Sequence, residues 1–141
     1  MAFLKDKDRL AVQKELASLK NRVKIIVFTQ EMECDFCSHN RELMEEVAAL
    51  NGKISLEVYD FMKDTTQVEK YHIDKIPATV IAGDRDYGIR FYGIPSGYEF
   101  VSLMEAIKSV SNRESHLTAD TRDFLKSLTK DVHLQVFVTP T

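Results

Sequence analysis

Six consecutive residues, Val23-Lys24-Ile25-Ile26-Val27-Phe28, form a nearly unbroken β-branched and aromatic run. Its shortness and composition predict a strand buried on both faces, because a strand with one wet face alternates apolar and polar residues. Such a strand needs covering layers on each side of its sheet, which restricts the chain to a layered α/β fold. Flanking segments supply helices. Residues 6–20 place Leu10, Val12, Leu16, Ala17 and Leu19 near helical spacing, with Asp6 or Asp8 as candidate caps. Residues 41–50 place Leu43, Met44, Val47, Ala48 and Leu50 on one face, and Asn51-Gly52 ends that helix.

The remainder reads as alternating elements. Residues 54–60 alternate as a second strand, and a polar helix is expected over 64–71. Residues 77–82 form a third strand that opens at Pro77, a tolerated position for proline. A turn at Gly83-Asp84-Arg85-Asp86 joins it to a fourth strand over 87–92. Gly93 to Gly97 then lead into a helix bearing Phe100, Val101, Leu103, Met104, Ile107 and Val110. The order is one leading helix and then βαβαββα, which folds as a mixed four-stranded sheet with helices on both faces.

The tail falls outside that unit. A helix is expected over 118–129 and a strand over 132–139. Leu19, Val23, Val27 and Phe28 recur at one constant offset as Leu128, Val132, Val136 and Phe137, each time after a helix. This internal echo divides the chain into a first unit, 1–112, and the opening of a second, incomplete unit, 113–141. The position matching Cys34 in the second copy falls just beyond Thr141. The tail strand's apolar face, Val132, Leu134, Val136 and Val138, is expected to pair with a sheet edge of this unit or of a second copy, so a homodimer is an expectation.

The length of 141 residues suits about one domain, large enough to bury a core without staples. The net charge of −3 argues against nucleic-acid or anionic-membrane partners, which favour basic patches. No apolar run approaches the roughly 20 residues of a membrane span. The charged N-terminal stretch lacks a signal-peptide core, so a cytoplasmic location is expected. In that compartment the chain's two cysteines, Cys34 and Cys37, fit a catalytic or metal-binding role better than a structural disulfide.

The cysteines lie between the buried strand and a helix. A helix start offers unsatisfied N–H groups and the positive end of the dipole, both of which favour a thiolate at Cys34. Cys37, one turn on, is close enough to form a disulfide with Cys34 or to attack a mixed disulfide made there. The competing reading is half of a zinc site. A closed site needs four ligands, and His39, His72, His116 and His133 stand at no such spacing, so no metal is expected. Phe36, between the cysteines, is expected to be exposed to substrate. Ile76-Pro77 should lie beside the cysteines in this topology. A cis bond there would free the Ile76 backbone to pair with an extended substrate, whereas a plain trans edge-strand proline is the bland alternative. His39 reads as a solvated helix residue. Tyr71 and His72 could line a groove or only cover a helix end, and the aromatics from Tyr87 to Tyr98 read as packing.

The strand VKIIVF, the CDFC helix start, KIPATVI, the hairpin and Gly93 together resemble the thioredoxin and glutaredoxin superfamily over roughly residues 22–110. The leading helix, YHIDKIPATVI, YGIRFYGIPSGYEF and DVHLQVFVTPT are similar to the protein disulfide oxidoreductases, or glutaredoxin-like proteins, of archaea and thermophilic bacteria. That family carries two tandem thioredoxin-fold units, each with its own C-x-x-C. The resemblance implies dithiol–disulfide exchange on disulfide-bearing protein substrates, with Cys34 attacking, Cys37 resolving and Pro77 as a cis-proline. It implies no cofactor beyond the redox-active Cys34–Cys37 pair. An upstream thiol or flavoprotein reductase is the expected electron source, and a peroxiredoxin is one expected client.

Three features depart from the pattern. The second unit is cut short, VKIIVF lacks the buried carboxylate of thioredoxins proper, and Asp35-Phe36 replaces the usual dipeptides. Glu31, Glu33 and Asp35 crowd Cys34 with negative charge, which disfavours its thiolate and suits a reductant better than an oxidant. Two alternatives stand beside exchange on proteins. One is a non-catalytic thioredoxin-fold docking module. The other is a glutathione-dependent glutaredoxin, which would need a cationic groove.

Overall fold

The computed structural model describes residues 3–139. The run singled out above is β1 (Val23–Thr29), the inner strand between β2 (Ile54–Asp60) and β3 (Ala78–Ala82). β1 pairs in parallel with β2 and antiparallel with β3, and β3 pairs antiparallel with β4 (Asp86–Tyr92), giving the order β2-β1-β3-β4. The expected mixed four-stranded thioredoxin-like sheet is therefore present.

The side chains of β1 sort by parity, as strand geometry requires. Val23, Ile25 and Val27 pack with residues from α1 (Asp6–Leu16), α2 (Cys37–Ala48) and α4 (Tyr98–Asn112). Ile26 and Phe28 face the other side, where Tyr71 and Ile73 follow α3 (Thr65–Lys70). Ile25, Ile26, Val27 and Phe28 are all 0% exposed. Full burial of each such side chain favours folding by about 1.5–3 kcal/mol. A one-residue slip would exchange the two faces, so both packing layers pin the register.

Two contacts differ from what periodicity suggested. Neither Asp6 nor Asp8 caps α1, whose N-cap is Lys5 without a side-chain bond. Instead Glu46 of α2 reaches the lead-in: its carboxylate accepts from the Phe3 N–H (2.6 Å) and the Leu4 N–H (3.0 Å) and meets Arg9 at 3.4 Å. Burial alone would push the Glu46 carboxyl up, but the two backbone bonds and the Arg9 charge leave it below its ordinary value. The connection from α1 to β1 is held by Ser111 of α4, which is wholly buried. Its Oγ accepts from the Lys20 and Asn21 N–H groups (both 3.0 Å) and donates to the Asn21 carbonyl (2.7 Å).

The tail only partly follows expectation. α5 (Ala119–Lys126) forms, started by Thr118, whose side chain accepts from the Thr121 N–H. The strand expected over 132–139 does not: this stretch carries no regular secondary structure, and Leu134 and Val136 are each 84% exposed. A strand is made by its ladder, and neither sheet edge, β2 or β4, pairs with this segment. Alternating apolar residues fit the ladder but do not supply it.

Ser111→Ala should cost about 1–3 kcal/mol, since it strips the Ser111 Oγ from both the N–H and the carbonyl of Asn21 and leaves the Lys20 N–H only Asn112 Oδ1 at 3.2 Å; urea unfolding measures this, and an unchanged midpoint would exclude the role. Glu46 contributes stability that is complete above its ordinary value of 4.5 and lost as pH falls through its depressed folded value. Unfolding midpoints between about pH 6 and about pH 3 should therefore fall less steeply in Glu46→Gln than in the wild type.

Candidate active site

Beyond Thr29 the chain leaves the sheet through residues 30–33. Glu33 adopts φ 57°, a left-handed conformation uncommon for a residue with a side chain. This turn delivers Cys34, which is linked to Cys37 by a disulfide with a Cα–Cα distance of 5.5 Å. The two sulfurs are unequal. Cys37 is the first residue of α2 and is 0% exposed, whereas Cys34 sits in the preceding turn and is only partly buried. The Cys37 N–H donates to the Cys34 carbonyl at 3.4 Å. The N-cap residue Phe36 offers no side-chain acceptor, and the first turn holds no acidic residue. The positive end of α2 thus has no internal anion of its own and is open to a thiolate.

The Ile76–Pro77 bond is cis. Ala78 stands opposite Phe28 in the β1–β3 register, so Pro77 lies level with the end of β1 from which the cysteine turn departs. Pro77 is buried and Ile76 partly so. The Gly93 N–H donates to the Pro77 carbonyl at 2.9 Å, and Gly93 reaches that position with φ 87°, a conformation glycine adopts without cost. Phe36 is 61% exposed and Met32 76%, leaving two large apolar side chains on the surface around the disulfide.

Other residues weighed from the sequence lie elsewhere. His39 is exposed and stands edge-on to the Phe3 ring, 5.9 Å away. Tyr71 is buried against Phe28, and its carbonyl accepts two bonds from the Arg90 guanidinium, so it belongs to the packing layer. Tyr98, expected to pack, is instead 83% exposed. Among the described residues no group of three or more His, Cys, Asp or Glu could hold a metal ion, and no helix is long and apolar enough to cross a membrane. One buried polar pair escaped the sequence reading. Asn40 of α2 donates from Nδ2 to Thr79 Oγ1 of β3 at 3.0 Å, and both residues are 0% exposed. Its signal was present: Asn40 occupies a core position between Cys37 and Leu43 on the helix.

A βαβ unit and a β-hairpin forming one mixed sheet, with a C-x-x-C disulfide at the start of the helix after β1, define a thioredoxin-like protein. The chain belongs to the thioredoxin domain family, whose model matches residues 22–105. Among solved structures it is similar to a protein disulfide oxidoreductase from Aeropyrum pernix K1, at 26% identity and a TM-score of 0.81, covering 91% of this chain and 56% of that one. It is also similar to the NTD_N/C domain of alkylhydroperoxide reductase AhpF from Enterococcus faecalis, at 26% identity and a TM-score of 0.80, covering 91% and 62%. A curated relative, the NADH dehydrogenase of Bacillus subtilis (strain 168), is 30% identical over 100 residues, which are 70% of this chain and 17% of that protein. The chain thus spans under a fifth of that relative's length and less than two thirds of either solved chain.

Asp35 is exposed directly beside Cys34. Removing its charge should favour the Cys34 thiolate and therefore the reduced form. Asp35→Asn is expected to raise the reduction potential, shifting exchange with a reference dithiol by roughly two- to fivefold, the range of an exposed charge interaction. Equilibration in glutathione buffers reads this, and a potential equal to the wild type would refute the charge argument.

Proposed function

We propose that this chain is a thiol–disulfide oxidoreductase that reduces or exchanges protein disulfides through Cys34 and Cys37. The observation that carries the reading is the inequality of the two sulfurs. One is partly open at a helix start, the other is sealed beneath it, and the two are already joined. In the dithiol form the Cys34 thiolate attacks a substrate disulfide, forms a mixed disulfide and expels one substrate thiolate. Cys37 then attacks the Cys34 sulfur, closes the internal disulfide and releases the second substrate thiol. Burial of Cys37 keeps it from outside disulfides, while the single helical turn between the two holds it within reach of Cys34.

Three further residues form the substrate platform. The Ile76 backbone, held beside cis-Pro77, pairs with an extended substrate segment by strand addition. Phe36 supplies an exposed apolar contact next to the reacting sulfur. No cofactor other than the cysteine pair enters this scheme. The acidic surroundings of Cys34 favour it over a glutathione-dependent reaction, which wants a cationic groove.

The similarity to a protein disulfide oxidoreductase and to AhpF supports a redox chain in which a flavoprotein or thiol reductase supplies electrons and a peroxiredoxin is one acceptor. The match to the Aeropyrum protein covers 91% of this chain, more than the four-stranded unit alone. That coverage supports reading residues 113–141 as the opening of a second thioredoxin-like unit after a first unit over 1–112. The exposed apolar tail supports its pairing with another sheet edge, including that of a second copy.

Insulin reduction with dithiothreitol as donor tests the assignment. Cys34→Ser should abolish turnover, and Cys37→Ser should accumulate a covalent mixed disulfide visible by non-reducing electrophoresis. Full turnover by Cys34→Ser would reject the mechanism, and an inert wild type would favour a docking module.

A further inference from the structure

The buried Asn40–Thr79 pair leaves one atom unaccounted for. Nδ2 of Asn40 donates to Thr79, but Oδ1 has no hydrogen-bond partner among the described residues, although Asn40 is 0% exposed. A buried acceptor without a donor is destabilising, and native proteins keep few of them. Its place in the fold suggests why it is kept. Asn40 lies three residues after Cys37 on α2, so the two share a helix face, and both are fully buried. Helical side chains lean toward the N-terminus and cover the preceding turn, which for Asn40 is the turn that begins at Cys37. Thr79 fixes the amide from the other side, two residues beyond cis-Pro77 on β3.

We propose that Asn40 is a positioning residue for Cys37: its Oδ1 accepts a hydrogen bond from the Cys37 S–H in the dithiol form and loses that donor when the disulfide closes. This rests on the exchange reading above. When a dithiol donor reduces the Cys34–Cys37 bond, two electrons and two protons enter, the S–S bond breaks, and the donor closes its own disulfide. One of the protons ends on the Cys37 sulfur, where Oδ1 receives it as a hydrogen bond. In the resolving step Cys37 bonds to the Cys34 sulfur, the mixed disulfide breaks, and the Cys37 proton passes to the departing substrate thiolate. Asn40 is neutral throughout. It orients the thiol but does not take its proton, in a core where β1 offers no carboxylate.

The orphan oxygen therefore belongs to the oxidised state and is satisfied in the reduced one. Both terms bias the pair toward reduction, so removing the amide should bias it toward the disulfide. Asn40→Leu keeps the branched shape of the side chain in a larger volume and removes its donor and acceptor together, leaving Thr79 Oγ1 without its partner in both redox forms. Its equilibrium constant for reduction, measured against dithiothreitol or glutathione buffers, should fall about tenfold, which is about 30 mV for this two-electron couple. Melting of the two redox forms supplies a second readout: the orphaned Thr79 Oγ1 and the added volume burden both forms alike, so Asn40→Leu should destabilise the reduced form by more than the oxidised one. Thr79→Val, which frees the amide without removing it, should shift the potential in the same direction by less. An unchanged potential in Asn40→Leu with both redox forms shifted equally would assign Asn40 to packing alone and overturn the proposal, as would a rise in the potential. If the wild type fails to reduce insulin, the exchange reading falls, yet the melting gap between redox forms still decides whether Asn40 senses the Cys37 proton.

Discussion

Everything in this fold depends on β1 being dry on both faces while hydrogen-bonded along both edges. Its alternate residues anchor two separate packing layers, and its neighbours run in opposite senses, β2 parallel and β3 antiparallel. A strand so constrained cannot slip by one residue without exchanging its two packed faces. Its C-terminal end is where the chain turns through Glu33 and delivers Cys34. Cys34 is therefore mounted at the end of a strand that is buried on both faces and paired along both edges, although it sits in a turn itself.

The site is built from the junction of three such fixed ends. β1 supplies the cysteine turn, α2 supplies the positive terminus, and β3 begins with the cis-proline at the same level. Gly93 ties the far side of the hairpin to that proline through one backbone bond. The geometry separates two tasks that a pair of chemically identical thiols must divide. Under the proposed exchange reaction, exposure would select Cys34 for encounters with other molecules, and burial would reserve Cys37 for the internal step. Helix dipole and local acidic side chains pull the Cys34 electrostatics in opposite directions, so the balance between them tunes how readily its thiolate forms.

Much of this was legible in residue order. The β-branched run at Val23 to Phe28 and the helical spacing of Leu43, Met44 and Val47 each follow from one local periodicity, and the placement of Pro77 beside the cysteines follows from the order of elements those periodicities imply. What periodicity cannot show is a contact between distant polar groups. Ser111 looks like an ordinary serine near a helix end, yet it satisfies a turn some ninety positions earlier. Glu46 looks like a solvated helix charge, yet it holds the lead-in to α1. The tail failed for the converse reason. The pattern from Val132 to Val138 suits a strand, but a ladder requires a partner that no local pattern encodes. Asn40 is the intermediate case: its core spacing could be read in the sequence, but its bond to Thr79 could not.

The clasp between Glu46 and the Phe3–Leu4 backbone, together with the Phe3 ring against His39, ties the start of the described chain to the flank of α2. His39 is two residues from Cys37. The leading segment is therefore harnessed to the helix that begins at Cys37, so a fusion placed ahead of it would load that helix and not a remote corner of the molecule.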